Sequence, residues 1–274
     1  MPFQVSHFIL IKYFVIGICF GSFFNVVIYR LPQGLSIVKP RSFCPNCKKK
    51  ISWKENIPLL SWSLQKGRCL NCRKNISLTY PLIEILAGLS FVIFSFSSPE
   101  IHESIDNKYL LNISSWTFFS IIFLISLIDI KKFWVPQILI NFGFLFGTFN
   151  FLLVKYISRE NVSSDFVYYF LTVVFSYSIF ELIRMLAKFY FKKEALGQGD
   201  SKLVAMTSLW LGPIGTLLSV GISYIFAAIF LLVGLGMKIT KKGDLIPFAP
   251  FLSFGALVVW YFGNYQIIKI IFGY

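Results

Sequence analysis

Two acidic residues stand at the ends of strongly apolar segments, where a carboxylate needs a reason to be present. Asp129 closes the apolar segment 114–130, and Asp200 lies just before the segment 203–236. Even on a lenient insertion scale, a carboxylate inside a membrane costs about 2.5–3.5 kcal/mol. Two carboxylates about 4 Å apart repel by about 4 kcal/mol at an effective dielectric near 20, so they would share one proton near neutral pH. Such a pair can act as base and acid on one water molecule, which is hydrolytic chemistry.

The ordinary alternative is that each aspartate caps a helix or pairs with a neighbouring lysine, and for one isolated acid this interpretation is favoured. Two features favour a joint role. The motif from Gly197 to Asp200 allows close backbone approach beside the carboxylate, and a second acid lies at the same predicted depth. Helix polarity adds a hypothesis about roles. Asp200, at a helix N-terminus, is the resting base, and Asp129, near a C-terminus, is the resting acid.

Four cysteines form two C-x-x-C pairs, Cys44 with Cys47 and Cys69 with Cys72, separated by 21 residues. Two such turns can supply a tetrahedral four-thiolate zinc site, and four cysteine ligands leave no position for water, so the zinc would be structural. The alternative is a pair of disulfides, but the predicted topology puts this segment in the reducing cytoplasm, where disulfides rarely persist. The fifth cysteine, Cys19, is interpreted as a small apolar residue of the first helix.

The elements that must position these residues are membrane helices, because 56% of the 274 residues are hydrophobic and 19% are aromatic. Apolar segments fall at 8–29, 81–98, 114–130, 137–155, 166–186, 203–236 and 247–265. The sixth segment is too long for one crossing, and Gly212 with Pro213 predicts a break within it. The predicted fold is therefore an all-α polytopic membrane protein of about eight transmembrane helices, with the first helix retained and not cleaved as a signal peptide.

Positive charge is concentrated in segments that this topology places inside. Eleven basic residues lie between Arg30 and Lys74, and further basic residues fall at 131–132, 184–202 and 238–242. With the N-terminus outside, both aspartates reach the cytoplasmic level. The predicted domains are transmembrane helix 1 at 1–29, a cytoplasmic zinc-binding domain at 30–80, and a transmembrane domain at 81–274 that carries both aspartates. The formal charge of +14 would suggest nucleic acid for a soluble chain, but the positive-inside rule explains it, so we expect no nucleic-acid partner.

Several motifs spread along nearly the whole chain, in order, point to one family. They are Gly21 to Asn25 with Arg30 to Pro32, the two C-x-x-C pairs, Tyr80 to Glu84, Asp129 with Pro136, Gly197 to Leu203, and Ile246 to Ala256. With these motifs the chain resembles the prepilin peptidases of type IV pili and type II secretion, which are multi-pass aspartic proteases of the bacterial inner membrane.

The resemblance implies cleavage of a prepilin or pseudopilin leader after its glycine, at the cytoplasmic membrane face, by water activated between Asp129 and Asp200. Many family members also N-methylate the newly exposed residue with S-adenosylmethionine, and the cysteine-bearing domain accompanies that activity. We therefore expect a bifunctional enzyme whose partners are prepilins and the lipid bilayer. A peptidase without methyltransferase activity is the alternative.

Some residues depart from the family pattern or have more than one interpretation. Gln137 stands where the family commonly has an aspartate, and Thr207 and Ser208 replace a Leu-Gly pair. Glu84 and Asn25 match family positions, but their interpretation as polar groups bonded to neighbouring helices is at least as favoured as a direct role. A further acid, Glu181, is spaced for a local ion pair with the arginine three residues later.

Two other classes of function are compatible with parts of the sequence. An ion-coupled transporter would use intramembrane acids as relay groups, but it predicts acids near the middle of the membrane and not at one edge. A zinc-ribbon membrane scaffold would bind nucleic acid or anionic lipid through its basic segment. That scaffold does not need a pair of aspartates.

Overall fold

Helices account for nearly all the regular structure of the chain. The computed structural model describes residues 7–97, 108–158, 162–192, 197–238 and 245–273. Parts of the connections between the predicted apolar segments, at 98–107, 193–196 and 239–244, lie outside these ranges. The helices are α1 (His7–Arg30), α2 (Leu60–Leu64), α3 (Thr79–Phe94), α4 (Lys108–Lys132), α5 (Gln137–Ser158), α6 (Val162–Phe191), α7 (Gln198–Gly236), α8 (Ala249–Phe262) and α9 (Asn264–Phe272). Within the described ranges, β-structure is limited to two isolated bridges. The predicted all-α class is confirmed.

Five of these helices are long and apolar enough to cross a membrane. They are His7–Gln33, Tyr109–Lys132, Gln137–Ile157, Phe166–Tyr190 and Gln198–Gly236. A sixth span results if Ala249–Phe262 and Asn264–Ile271 count as one element despite the 100° bend between them. The helix Thr79–Phe94 is apolar but shorter than a full crossing. By length and composition the chain is a membrane protein, and its described ranges contain five or six candidate spans, fewer than the eight expected from the sequence.

The predicted break in the long helix α7 lies at Gly212. This residue has φ of 67° and ψ of −179°, a conformation outside the helical region, and Pro213 follows it. A residue with a side chain avoids that combination of angles, and proline cannot donate the backbone hydrogen bond that would continue the helix. The helix therefore consists of two pieces, 198–211 and 213–236, and the prediction of a break is confirmed.

Two glycines of α7 give opposite predictions for the same substitution. Gly212→Ala should destabilise the protein by about 1–3 kcal/mol, because alanine is strained at this φ and ψ and its Cβ would lie 3.1 Å from the Tyr169 hydroxyl. Gly221→Ala is the matched control. No heavy atom within the described part of the chain lies within 4 Å of its added Cβ, and alanine favours a helix by about 0.5–1 kcal/mol. Thermal unfolding in detergent measures both, and an equal shift in the two variants would contradict the break.

The contacts of the chain divide it into two compact units, Met1–Phe96 and Ser97–Tyr274. In the first unit, α1 packs against α3 through small residues. A Cβ on Gly17 would lie 2.7 Å from the Ala87 carbonyl oxygen, and a Cβ on Gly21 would lie 2.6 Å from the Glu84 Cα. This Gly-x-x-x-Gly spacing lets the two backbones approach closely, as membrane helices commonly do.

The second unit is organised around an aromatic cluster of Phe118, Trp210 and Trp260. The Phe118 ring centroid lies 5.0 Å from that of Trp210 and 4.9 Å from that of Trp260. Both indole N–H groups are satisfied, since Trp210 Nε1 donates to the Gly143 carbonyl at 3.0 Å and Trp260 Nε1 donates to Ser115 Oγ at 2.9 Å. The cluster thus joins α4, α5, α7 and α8, of which α4 and α7 carry the two aspartates.

Candidate active site

Asp129 lies in the last turn of α4, which ends at Lys132. The backbone at the next residue, Phe133, ends the helix. The Asp129 carbonyl oxygen accepts the Phe133 N–H at 2.8 Å, and Phe133 has a positive φ of 51°. The carboxylate is buried, with 6% of the residue exposed. Its Oδ2 atom accepts a hydrogen bond of 3.3 Å from the Ala249 N–H, in the first turn of α8. The residue is therefore held between two helices.

Asp200 is fixed by the turn that begins α7. Its Oδ2 atom accepts a hydrogen bond of 3.1 Å from the Gly197 N–H, while its own N–H donates to the Gly197 carbonyl at 3.1 Å. These reciprocal bonds satisfy backbone groups at the helix start in the way an acidic third residue usually does. Asp200 is 6% exposed, as buried as Asp129. The other carboxylate oxygen of Asp200, Oδ1, takes no part in this hydrogen bond.

The charge of Asp129 acts on Asp200, so the two carboxylates lie within electrostatic range of each other. Buried carboxylates that interact in this way repel each other, so the pair favours a state with a single shared proton. Such a state can both accept and donate a proton in one reaction. A buried, interacting pair of carboxylates is compatible with hydrolytic chemistry, and the catalytic role of Asp129 and Asp200 stays a prediction.

Helix polarity does not distinguish the two aspartates as the sequence suggested. Asp200 lies at the start of α7, as expected. Asp129 lies near the end of its own helix, but its carboxylate bonds to the first turn of α8 at Ala249. Both carboxylates therefore contact a helix N-terminus, where the dipole favours a negative charge. The helix dipole alone gives no reason to name Asp200 the base and Asp129 the acid.

Close backbone approach beside Asp200 is provided by Gly199. A Cβ built on this glycine would lie 2.6 Å from the Val135 Cβ, a distance that no side chain tolerates. Val135 belongs to the short connection between α4 and α5. The missing side chain of Gly199 thus lets the segment that follows Asp129 press against the turn that carries Asp200.

Gln137, the departure from the family pattern, links two elements of the site. Lys202 Nζ donates a hydrogen bond of 2.6 Å to Gln137 Oε1, and Gln137 Nε2 donates one of 2.9 Å to Asn141 Oδ1. The start of α5 is thereby tied to the first turn of α7, two residues after Asp200. The Lys202 ammonium group thus bonds to the amide oxygen of Gln137. The Asp200 carboxylate, in contrast, accepts the Gly197 N–H and interacts electrostatically with Asp129.

Glu181 makes the ion pair that its spacing predicted and a further bond toward the site. The Arg184 guanidinium donates to both oxygens of Glu181, with the shortest contact at 2.7 Å. In addition, the hydroxyl of Ser201, next to Asp200, donates to Glu181 Oε2 at 3.1 Å. The sequence had suggested only the local pair. The contact with Ser201 fastens the start of α7 to α6.

Residues near the end of the chain complete the surroundings of the pair, and the sequence interpretation missed their roles. Tyr224 lies within electrostatic range of the Asp200 carboxylate. Its ring packs on Phe248 with centroids 5.3 Å apart, and Phe248 directly precedes Ala249, the residue that donates to Asp129. The motif from Ile246 was noted as part of a family pattern, but a backbone N–H donor leaves no side-chain signal that could have revealed this contact.

The four cysteines form a cluster that could hold a metal ion. Their sulfur atoms all lie within 4.8 Å of one another, and Cys44 Sγ lies 3.9 Å from Cys72 Sγ. A tetrahedral site with zinc–sulfur bonds of about 2.3 Å places its sulfurs about 3.8 Å apart. A disulfide requires about 2.05 Å, and all four thiols are free. The donor set fits zinc, and the alternative of two disulfides does not match the structure.

The two C-x-x-C turns have the same backbone geometry. The Cys44 N–H donates to the Lys49 carbonyl at 2.9 Å, and the Cys69 N–H donates to the Lys74 carbonyl at 3.0 Å. In each turn the residue after the second cysteine has a positive φ, near 58°. Each turn thus presents two sulfurs on one side, and the segment supplies two equivalent halves of a tetrahedron.

The backbone of these turns favours the thiolate at three of the four cysteines, whereas burial and hydrogen bonds with the neighbouring thiols raise the pKa of Cys44. A backbone hydrogen bond from Lys49 lowers the pKa of Cys47, and one from Lys74 lowers the pKa of Cys72. The pKa of Cys69 is lowered in the same way by the Cys72 backbone. Because the thiolate is the form that binds a metal, these bonds prepare the site for an ion.

Asparagine and lysine side chains surround the sulfurs in a repeated pattern. Asn46 Nδ2 donates to Cys72 Sγ at 3.6 Å, and Lys74 Nζ donates to Asn46 Oδ1 at 3.0 Å. The other turn contributes the matching contact, in which Lys49 Nζ donates to Asn71 Oδ1 at 3.3 Å. Outer groups of this kind orient metal ligands and offset their charge. The repeated C-x-N-C-x-K pattern is the sequence signal that could have predicted them.

Glu84 and Asn25, the two uncertain polar residues, are both buried and bonded. Glu84 Oε2 accepts the Leu59 N–H at 2.8 Å, and Asn25 Nδ2 donates to the Tyr80 carbonyl at 3.1 Å. Asn25 thus bonds to the neighbouring helix α3, whereas the Leu59 donor to Glu84 lies just before α2. A direct role of either residue stays a prediction. Both also line a cavity of about 590 Å³ within the first unit, which we call the N-terminal cavity.

These elements define a class, a helical membrane protein with a buried pair of carboxylates and a separate four-cysteine cluster. Residues 15–98 match the bacterial peptidase A24 N-terminal domain, and residues 116–232 match the type IV leader peptidase family. The chain belongs to the type IV leader peptidase family. No solved structure matches it.

Similar proteins of known name agree with this assignment. A "Type 4 prepilin-like proteins leader peptide-processing enzyme" of Escherichia coli is 31% identical over 269 residues, which cover 89% of this chain and 91% of the relative. A "Prepilin leader peptidase/N-methyltransferase" of Klebsiella pneumoniae is 34% identical over 209 residues, 73% of this chain and 83% of the relative. One of Aeromonas salmonicida with the same name is 30% identical over 284 residues, 92% of this chain and 90% of the relative.

Family membership confirms the resemblance and makes the protein an enzyme. It decides against the transporter and scaffold interpretations, which require other families. The functional domain limits 1–29, 30–80 and 81–274 stay predictions, as do the roles of the individual site residues.

Proposed function

We propose that the protein cleaves the leader peptide of type IV prepilins or pseudopilins after a glycine, with Asp129 and Asp200 as the catalytic residues. The observation that carries the proposal is the pair of buried, interacting carboxylates in a chain whose relatives are named prepilin leader peptidases. The names of the relatives by themselves support prepilins as the substrate class. The carboxylate pair supports the mechanism.

In this mechanism the two carboxylates share one proton at rest. The ionised carboxylate accepts a proton from water, and the water oxygen forms a bond to the carbonyl carbon of the glycine. The protonated carboxyl then gives its proton to the peptide nitrogen as the carbon–nitrogen bond breaks. The N–H groups of Ala249 and Gly197 each hold one oxygen of the pair. They keep both carboxyl groups oriented while the proton moves.

The enzyme would work at the cytoplasmic face of the bacterial inner membrane, with eight crossings in the proposed topology. The distribution of lysine and arginine supports this orientation. The backbone break at Gly212 supports counting α7 as two crossings. The short helix Thr79–Phe94 and the bent pair α8 and α9 supply the remaining crossings.

We further propose that the cysteine cluster holds a structural zinc ion. The sulfur spacing and the thiolate-favouring backbone support zinc. Four protein ligands leave no position for a bound water, so the ion would shape the segment around it and take no part in the hydrolysis.

The second proposed activity is methylation of the new N-terminus with S-adenosylmethionine, as the names of the relatives suggest. S-adenosylmethionine supplies an activated methyl group on a positively charged sulfur. The protein would bind that donor and hold the amine of the cleaved product in line with it.

A defined peptide tests both activities of the purified protein in detergent. The peptide has a basic leader, a glycine, a phenylalanine and an apolar helix. We expect cleavage after the glycine, and with S-adenosylmethionine present a product heavier by one methylene group. An uncut peptide would overturn the peptidase, and a cut but unmethylated product would leave a peptidase alone.

A second prediction concerns the contact between Gly199 and Val135. Gly199→Ala should lower the cleavage rate by about 10²-fold, because its Cβ would displace the turn that positions Asp200, and displacements of about 1 Å have effects of that order. Gly221→Ala is the control. Its added Cβ would meet no heavy atom within 4 Å in the described part of the chain, so the cleavage rate should change little. Equal losses in a peptide-cleavage assay would contradict the role of the Val135 contact.

A further inference from the structure

The N-terminal cavity is large enough for a ligand the size of a nucleoside derivative. Its volume is about 590 Å³, within the range of about 300–1,000 Å³ typical of small-molecule sites. Its lining combines aromatic and aliphatic side chains with many polar and charged groups of α1, α3 and the segment between them. Among the lining residues are Asn25, Tyr29, Trp62, Tyr80 and Glu84.

Glu84 is one of two carboxylates in the lining, with Glu55, and four basic residues also line the cavity: Arg30, Lys49, Lys50 and Lys74. The hydrogen bonds of Glu84 to the described residues come from neutral groups. Glu84 is 8% exposed. Its carboxylate accepts hydrogen bonds from the Leu59 N–H and from the Ser22 hydroxyl. Among the described residues no cation is paired with it. A buried carboxylate that is oriented by neutral donors but not neutralised is a binding site for a positively charged group.

Asn25 and Trp62 supply fixed groups for the rest of a ligand. The Asn25 side-chain N–H donates a hydrogen bond of 3.1 Å to the Tyr80 carbonyl. The side-chain oxygen of Asn25 can then accept a hydrogen bond from a ligand. The Trp62 ring is held by its own bond from Nε1 to the Ile76 carbonyl at 3.3 Å and by contact with Gly67. A fixed indole face is suited to stacking on a purine ring or facing a cation.

We propose that the N-terminal cavity is the binding site of S-adenosylmethionine, with the Glu84 carboxylate facing the sulfonium and Trp62 against the adenine ring. This inference rests on the proposed methyltransferase activity and assigns it a site. In the transfer, the product amine forms a bond to the methyl carbon and the carbon–sulfur bond breaks. Its electron pair stays on sulfur, and the amine proton is released to water. Loss of the positive charge at sulfur weakens the attraction to Glu84, which favours release of the spent donor.

The charge difference between donor and spent donor provides the test. S-adenosylmethionine carries a positive sulfur, whereas the sulfur of S-adenosylhomocysteine is neutral. Binding of each to the full-length protein in detergent is measured by calorimetry. We expect Glu84→Gln to weaken binding of S-adenosylmethionine about tenfold or more and that of S-adenosylhomocysteine about twofold or less, because only the first loses a charge pair. A structural role of Glu84 would weaken both equally, and that result would overturn the assignment of the carboxylate.

A second pair of variants keeps the site testable if Glu84→Gln folds poorly. Trp62→Ala should weaken binding of both ligands, whereas Trp53→Ala should not, because Trp53 is 67% exposed and does not line the cavity. Unchanged binding in both tryptophan variants would overturn the site. If the unaltered protein binds neither ligand but cuts the peptide, the proposal of a methyltransferase activity is itself wrong. Retained peptide cleavage in the variants shows that they are folded.

Discussion

Asp129→Asn and Asp200→Asn are each expected to lower the rate of leader-peptide cleavage by about 10²- to 10⁴-fold, the range for loss of a positioned acid or base. Asparagine has the shape of aspartate and can still accept the Ala249 or Gly197 N–H bond through its amide oxygen. It cannot accept or release a proton. The expected loss therefore comes from the chemistry and not from the fold. Initial rates on the glycine–phenylalanine peptide measure it.

The double variant distinguishes a pair from two separate contributions. If the carboxylates act as a unit on one water, Asp129→Asn combined with Asp200→Asn should lose little more activity than either single variant. Losses that multiply would indicate that the two residues act independently. Full activity in either single variant would exclude the pair as the catalytic centre.

Two controls separate the chemistry from damage to the structure. Glu181→Gln removes a carboxylate that bonds Ser201, beside Asp200, without altering the pair, so its loss of cleavage should be far smaller. The aspartate variants should also still methylate a peptide that already begins with the free phenylalanine, because the proposed methyl-donor site lies in the first unit. Loss of both activities in these variants would point to misfolding.

The two aspartates could be predicted from sequence because charges are rare within apolar segments. A carboxylate at the end of such a segment is visible in a single sequence, and alternating topology assigns it a membrane face. The cysteine cluster was predictable for a different reason. Its ligands lie in two short turns, and local spacing determines much of the geometry at Cys44 and Cys69.

The partners of the aspartates were not predictable, because they come from distant parts of the chain and carry weak signals. Ala249 bonds Asp129 across 120 positions through a backbone N–H that any residue would supply. Lys202 reaches Gln137 across 65 positions, and glutamine has no strong preference for such a contact. Only packing of the helices brings these groups together. The same contact at Ala249 removed the polarity difference that the sequence had suggested for the two carboxylates.

The number of membrane crossings was the least predictable feature of the fold. Apolar composition does not reveal where a helix ends. The predicted segment 81–98 ends as a helix at Phe94, and the segment 247–265 contains a 100° bend. A glycine marks that bend, since Gly263 has φ of 76°. Only the break at Gly212 and Pro213 had a local signal strong enough to be predicted.

Cys44→Ser and Cys69→Ser are each expected to lower the zinc content from about one ion per chain to nearly none. The segment around the cysteines has little else to hold it together. Its regular structure consists of the short helix Leu60–Leu64, one turn at Lys54–Asn56 and two isolated bridges. Structural zinc stabilises comparable small sites by about 10–16 kcal/mol. Metal analysis of the purified variants measures the loss, and Cys19→Ser, which changes a cysteine outside the cluster, should keep its zinc.

Loss of zinc should also open the segment and the cavity beside it, while the second unit stays folded. The segment between Arg30 and Lys74 carries eleven basic residues, so trypsin should cut it rapidly in the cysteine variants and slowly in Cys19→Ser. Because Cys44 and Cys69 line the N-terminal cavity, binding of S-adenosylhomocysteine should fall with the zinc content. Treating the unaltered protein with a chelator should reproduce both effects. Variants that keep zinc and resist trypsin would show that the four sulfurs are not the ligands of a structural ion.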